Sequence, residues 1–159
     1  MSGHRAPLLV LAVGNPSRGD DALGPMLAEI VEAAALPGVE VIVEFQLQVE
    51  NALDLEGRER VIFVDAGFGT GVPFELRDAK PAADFLHTSH ALSPEAVLAT
   101  YLRVKGEAPP LSTILCVRGE SFELGEGLSE AAAVNLQAAG RKLLDLCGPQ
   151  AAYARGVTR

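Results

Sequence analysis

The sequence predicts a three-layer α/β/α domain around a five-stranded, mostly parallel mixed sheet. Two observations carry that expectation. Short runs rich in β-branched and apolar residues recur five times, separated mostly by stretches whose apolar residues repeat at helical spacing. Two of the runs, residues 8–13 (LLVLAV) and 60–65 (RVIFVD), are almost continuously apolar, as strands covered on both faces are. The 159 residues suit one domain, which at this size buries about 68–70% of its unfolded surface.

Each element has its own local signal. After the first strand, Leu23, Leu27, Ile30, Val31 and Ala34 recur at helical spacing over residues 22–35, and Pro37-Gly38 stops the helix. Residues 39–45 (VEVIVEF) form the second strand, and 46–51 lead into a short helix ending near Gly57. Residues 60–65 are the third strand. Gly67, Gly69 and Gly71 loosen the next connection, and 72–77 (VPFELR) carries a proline that suits an edge strand. The short glycine link makes that fourth strand antiparallel.

Residues 78–91 show no clean period and read as a loop. Ser93-Pro94 opens a helix reaching about Lys105, with a capping hydroxyl and proline at its first position. Residues 112–117 (STILCV) are the fifth strand, and Ser129 caps a final helix over 130–147. Residues 148–159 are expected to form a flexible tail on a single domain spanning 1–159. Right-handed crossovers place the first and third strands side by side at the centre. The ligand crevice is then expected between the loops after Val13 and Val64, beyond the strand carboxyl ends.

Composition narrows the function. The net charge is −8 with no run of Lys or Arg, and aromatics are 5% with no Trp, which argues against a nucleic-acid or anionic-membrane partner. The acidic balance suits a cationic or protein partner, or simply solubility. The charged N-terminus and the apolar run after it imitate a signal peptide, but the run is short and lacks a small-residue cleavage site. No stretch nears the roughly 18 apolar residues of a membrane span. Cys116 and Cys147 lack CxxC spacing and read as reduced, buried thiols. The protein is expected to be soluble and cytoplasmic.

The chemistry concentrates in residues 8–24, LLVLAVGNPSRGDDALG. Gly14-Asn15 is neither GxGxxG nor a Walker loop, so it reads as a sharp turn tied by the Asn15 side chain. Asp20 is expected to cap the helix that follows. Asp21 then has no structural task beyond favouring the helix dipole. Asp65 closes an apolar central strand, where a loop-binding acceptor and a ligand or base are equally open readings. Among His4, His87 and His90, the last two share the loop HTSHALSPE. Two carboxylates and an imidazole converging on one crevice would make an open site for a divalent metal. There is no GxSxG elbow, and Cys116 inside a strand is poorly placed as a nucleophile.

Taken together, LVLAVGNPSRGDDALG, FQLQVENALDL, VIFVDAG, TSHALSPEAVL and GESFELGEGLS resemble the maturation proteases of nickel–iron hydrogenases, in the expected order and over nearly the whole chain. The resemblance implies a phosphorylase/hydrolase-like fold with a five-stranded mixed sheet. It implies an endopeptidase that removes the C-terminal extension of a hydrogenase large-subunit precursor once nickel is inserted. The family's metal-contacting positions match Asp21, Asp65 and His90; some members carry Glu at the first, and the shorter Asp still reaches. The nickel belongs to the precursor, so the free enzyme is expected to be metal-free, able to take a divalent surrogate. Asp21 and Asp65 are the catalytic candidates, one of them as general base.

The segment FQLQVENAL also resembles that of proteases serving NAD-reducing hydrogenases. Gln46 there could meet the substrate tail, although an ordinary strand-end polar residue is the stronger reading. A monomer is the default state. One rival is a peptidyl-tRNA hydrolase-like enzyme, which shares VGNP but continues it differently, and whose tRNA a charge of −8 would repel. Another is a non-catalytic metal-binding accessory protein using the same three residues.

Overall fold

The computed structural model describes residues 5–82 and 91–156, with side chains of the last helix described as far as residue 148. Five strands form one sheet: β1 (Leu8–Val13), β2 (Val39–Glu44), β3 (Arg60–Phe68), β4 (Phe74–Ala79) and β5 (Leu111–Gly119). Their spatial order is β2-β1-β3-β5-β4. β1 pairs in parallel with both β2 and β3, β3 pairs in parallel with β5, and β4 runs antiparallel on the edge beside β5. The central β1–β3 pair and the antiparallel fourth strand are as the sequence predicts.

Helices cover both faces. Alternation along β1 sends Leu8, Val10 and Ala12 to one side, where Ile62, Val64, Leu115 and Val117 join them. That layer packs on α1 (Leu23–Ala34) and α3 (Glu130–Gly156), through Leu23, Leu27 and Val31 and through Ala139 and Leu143. Leu9, Leu11, Val61, Phe63 and Ile114 face the other way, against Val97, Leu98 and Tyr101 of α2 (Pro94–Lys105) and Leu55 of a 3-10 helix, Val49–Leu55. Every residue from Leu8 to Ala12 is fully buried, which explains the unbroken apolar character of that run. Among the described residues no helix is long and apolar enough to cross a membrane.

Several boundaries differ from the sequence expectation, each for a local reason. β3 continues past Asp65 to Phe68, and β5 runs on to Gly119 opposite it. Gly67 belongs to this extension rather than to a loose link: an added Cβ would lie 2.1 Å from Thr70 Oγ1 and 2.5 Å from Cys116 Sγ. β4 starts at Phe74, because Pro73 has no N–H for the ladder and contributes only its carbonyl, to Arg118 N at 3.1 Å. α3 does not stop at Cys147. It runs to Gly156 although Pro149 gives up an interior hydrogen bond there, and the Gln-Ala-Ala segment beyond it favours a helix. The helix therefore passes the end expected at Cys147 and reaches Gly156.

α2 and α3 begin as expected. Ser93 Oγ accepts from Ala96 N, and Ser129 Oγ accepts from Ala132 N, both at 3.1 Å. α1 begins differently. A 3-10 turn, Gly19–Ala22, precedes it, and its first residue follows Ala22 without any side-chain cap.

A paired-carboxylate candidate site

The strand order reverses between β1 and β3, so the crevice expected after Val13 and Val64 is the switch point of the sheet. β1 exits there into Gly14, whose φ is +154°; an added Cβ would stand 2.1 Å from the backbone oxygen of Asp21. Only glycine lets the strand exit and the 3-10 turn approach so closely. Asn15 then turns the loop: its Oδ1 accepts from Ser17 N at 2.9 Å, and its own N–H donates to Asp21 Oδ2 at 2.7 Å. One oxygen of Asp21 is thereby held. The other has no hydrogen-bond partner among the described residues.

Asp65 sits one residue beyond the last β1–β3 pair, Ala12 with Val64, and lies opposite Cys116 of β5. Its Oδ1 accepts the N–H of Ala66 at 2.7 Å. Burial pushes its carboxyl up to about 7; the Ala66 bond works against the rise, and the negative charge of Asp21 adds to it. The two carboxylates therefore feel each other across the crevice, as two like charges at one site must.

Asp20 does not cap its own helix, contrary to the expectation from its position. Its side chain crosses to the β5–α3 loop and is fully buried. Oδ2 accepts from Glu120 N at 2.7 Å, Ser121 N at 3.1 Å and Ser129 Oγ at 2.7 Å, while Oδ1 accepts from Ser129 N at 2.7 Å. Burial raises its carboxyl, but these bonds outweigh burial and hold it below the usual carboxylate range. The sequence offered no local signal for this, because the partners lie 100 to 109 residues away.

His90 lies outside the described residues, as do His4 and His87. Leu92, two positions after His90, donates its N–H to Leu47 O at 2.9 Å, beyond the carboxyl end of β2. Leu92 also packs against the cluster that includes Val13 and Cys116. Among the described residues no group of three His, Cys, Asp or Glu side chains is placed to hold a metal ion. Of the three residues expected to contact metal, Asp21 and Asp65 interact electrostatically across the crevice, and His90 lies outside the described residues.

Comparison with solved structures gives a consistent relationship. The hydrogenase maturating endopeptidase HybD from E. coli is 27% identical, with a TM-score of 0.67 over 94% of this chain and 93% of that one. An endopeptidase from Escherichia coli is 25% identical, with a TM-score of 0.68 over 87% and 90%. The nickel–iron hydrogenase maturation protease HycI from Thermococcus kodakarensis has a TM-score of 0.68 over 90% and 93%; at 21% identity it shows the shared fold. The chain is similar to hydrogenase maturation proteases in fold and, at 25–27% identity, in sequence. No protein-family model and no curated sequence matches it.

Around the pair the remaining polar groups form a frame. Asn51, buried, accepts from Gln48 N at 2.9 Å and donates to Glu44 Oε2 and Asp54 Oδ2, both at 3.0 Å, fixing the segment that carries Gln46. Gln46 itself is exposed beside Phe45. Sequence reading missed Asn51; a polar residue inside the apolar spacing of VENALDL was its only signal. Burial raises the Cys116 thiol above its ordinary range, which disfavours the thiolate, and Thr70 Oγ1 lies 3.4 Å away. A cavity of about 470 Å³ lined by Arg60, Asp78, Lys80 and Ser112 opens near the amino ends of β3 and β5, far from the carboxylates.

Proposed function

We propose that this protein is the endopeptidase that trims the C-terminal extension from a nickel–iron hydrogenase large-subunit precursor after nickel has been inserted. It works as a cytoplasmic monomer and is metal-free before it meets the precursor. The single observation that carries this reading is the Asp21–Asp65 pair at the switch point, with the Asp65 carboxyl pushed up to about 7. The likeness in fold and sequence to HybD, a hydrogenase maturating endopeptidase, supports it.

The physics of the pair accounts for selection of a loaded substrate. Burial keeps a proton on Asp65 near neutrality, and the negative charge of Asp21 adds to the effect. A dication held by precursor cysteines favours both charged forms. Asp21, Asp65 and His90 supply hard oxygen and imidazole donors that fit nickel. A precursor without nickel gains none of this, so affinity separates the two forms.

For the chemistry, a carboxyl titrating near 7 matches a general acid–base group at neutral pH. Asp65 takes a proton from the attacking water and returns it to the leaving amine. Asp21, held by Asn15 N, orients the substrate's cation. Gln46, exposed on the segment fixed by Asn51, meets the tail of the substrate.

Incubation of the protein with nickel-loaded and nickel-free precursor, followed by mass spectrometry, tests the reading. Loss of a C-terminal peptide from the loaded precursor alone is expected, and folded His90→Ala should abolish it. Binding without shortening would identify an accessory protein instead, and equal cutting of both precursors would remove the role of nickel.

A further inference from the structure

We infer that Asp20 is the positioning residue of the reactive pair: its clamp on the β5–α3 loop sets the orientation in which Asp21 faces Asp65. The kinetic half of the inference rests on the peptidase reading; the structural half does not.

The clamp is two-sided. The Asp20 carboxylate gathers four hydrogen bonds from Glu120, Ser121 and Ser129. In return the backbone around it donates to the same loop, Asp20 N to Ser121 O at 2.8 Å and Gly19 N to Glu126 O at 3.1 Å. Gly125 N closes the far side on Ser17 O at 2.7 Å. The two backbones meet so tightly that side chains are excluded between them. At Gly19 (φ +54°) an added Cβ would lie 2.5 Å from Ser121 O, and at Gly119 it would lie 2.9 Å from Asp20 Cβ.

Residues 17–20 are therefore pinned on several sides, and Asp21 is the next residue. Its carboxylate is reached through one peptide unit from the clamp, and among the described residues its only hydrogen-bond tether is Asn15 N. Rotation of the short 3-10 turn would carry Asp21 away from Asp65. Four donors converge on a buried group, so a carboxylate suits the place and an amide does not: the NH₂ of Asn would face N–H or O–H donors. The N-terminus of α3, at Ser129, adds a favourable dipole. Misplacement of a reacting group by about 1 Å can lower a rate by about 10²-fold, so the clamp matters for turnover as well as for folding.

The test compares Asp20→Asn with Asn135→Ala. Asn135 is buried and donates to Arg118 O at 3.0 Å, joining α3 to β5, and is not among the hydrogen-bond partners of the Asp20 carboxylate. The first readout is the backbone amide of Asn15 by ¹⁵N NMR, which reports the Asp21 carboxylate directly and needs no substrate. Asp20→Asn should shift that amide upfield and reduce its exchange protection; Asn135→Ala should leave it in place. The second readout is precursor cleavage well below both melting temperatures. Asp20→Asn should lower kcat tenfold or more with KM within twofold, while Asn135→Ala keeps its kcat.

An unmoved Asn15 amide in folded Asp20→Asn overturns the inference, as does activity that falls with melting temperature alike in both variants. If Asp20→Asn does not fold, Ser129→Ala and Gly119→Ala are read in the same way. The first removes one of the four bonds, and the second crowds Asp20 without changing charge. Should the wild type fail to cut the precursor, the peptidase reading falls, and the Asn15 amide still decides the positioning role.

Discussion

Asp20, Asp21 and Asp65 are one residue type in three environments, and their surroundings set three different tasks. Asp65 is a carboxyl raised in the folded state, from 3.8 to about 7, so folding binds its proton. Its contribution to stability is complete below pH 3.8 and is lost as the pH rises through about 7. The shift corresponds to on the order of 4 kcal/mol between the two protonation states. Asp65→Asn should therefore raise the melting temperature at pH 8, with the gain fading towards pH 4 in a calorimetric series; an equal gain at both pH values would contradict the assignment. Asp20 has the opposite sign. Its carboxyl is lowered by four hydrogen bonds, so its contribution is present above the unfolded value and lost as the pH falls through the folded one. Asp20→Asn should be destabilising at pH 7 and close to neutral at strongly acidic pH. That one of the two adjacent aspartates would be tied up structurally was legible in the sequence, though as a cap on the following helix that the structure does not bear out. What occupies Asp20 was not, because Glu120, Ser121 and Ser129 come to it only through the fold.

At the scale of elements, the exits of the strands decide where the carboxylates point. Gly14 and Gly24 mark the close approach of β1 to the turn and helix that follow. An added Cβ at Gly24 would lie 2.1 Å from Val13 O, and at Gly14 it would lie 2.1 Å from Asp21 O. Each contact is with backbone, which cannot rotate aside. Gly14→Ala or Gly24→Ala should lower stability by about 2 kcal/mol or more in urea unfolding, since strain at a special backbone position is among the large mutational effects. By contrast Gly69→Ala meets nothing within 4 Å and is strained only by its φ of +76°, so it should be milder. The sequence showed strand cores clearly because continuous apolar runs have one reading at that length. It placed their ends less well. β3 reaches Phe68 because Ala66, Gly67 and Phe68 find partners in Val117, Arg118 and Gly119, a pairing no local pattern announces.

For the molecule as a whole, the two apolar layers share β1 and β3, so neither can melt without exposing the other. Leu115→Ala in one layer and Phe63→Ala in the other should each lower the same single calorimetric transition, by about 2–5 kcal/mol. Two separable transitions would contradict a shared core. The strand order was legible from crossover rules, and the switch point followed from that order. The orientation of Asp21 was not, because it depends on a loop from the far end of the chain that grips its neighbour.

The central claim is that Asp21 and Asp65 act together on a cation-bearing peptide substrate. Single-turnover cleavage of the nickel-loaded precursor by wild type and by folded Asp21→Asn, read by mass spectrometry, tests it most directly. The account predicts release of the C-terminal peptide by the wild type and a loss of at least 10²-fold in the variant, on the scale of a removed acid–base or positioning group. Processing by Asp21→Asn at the wild-type rate would contradict it.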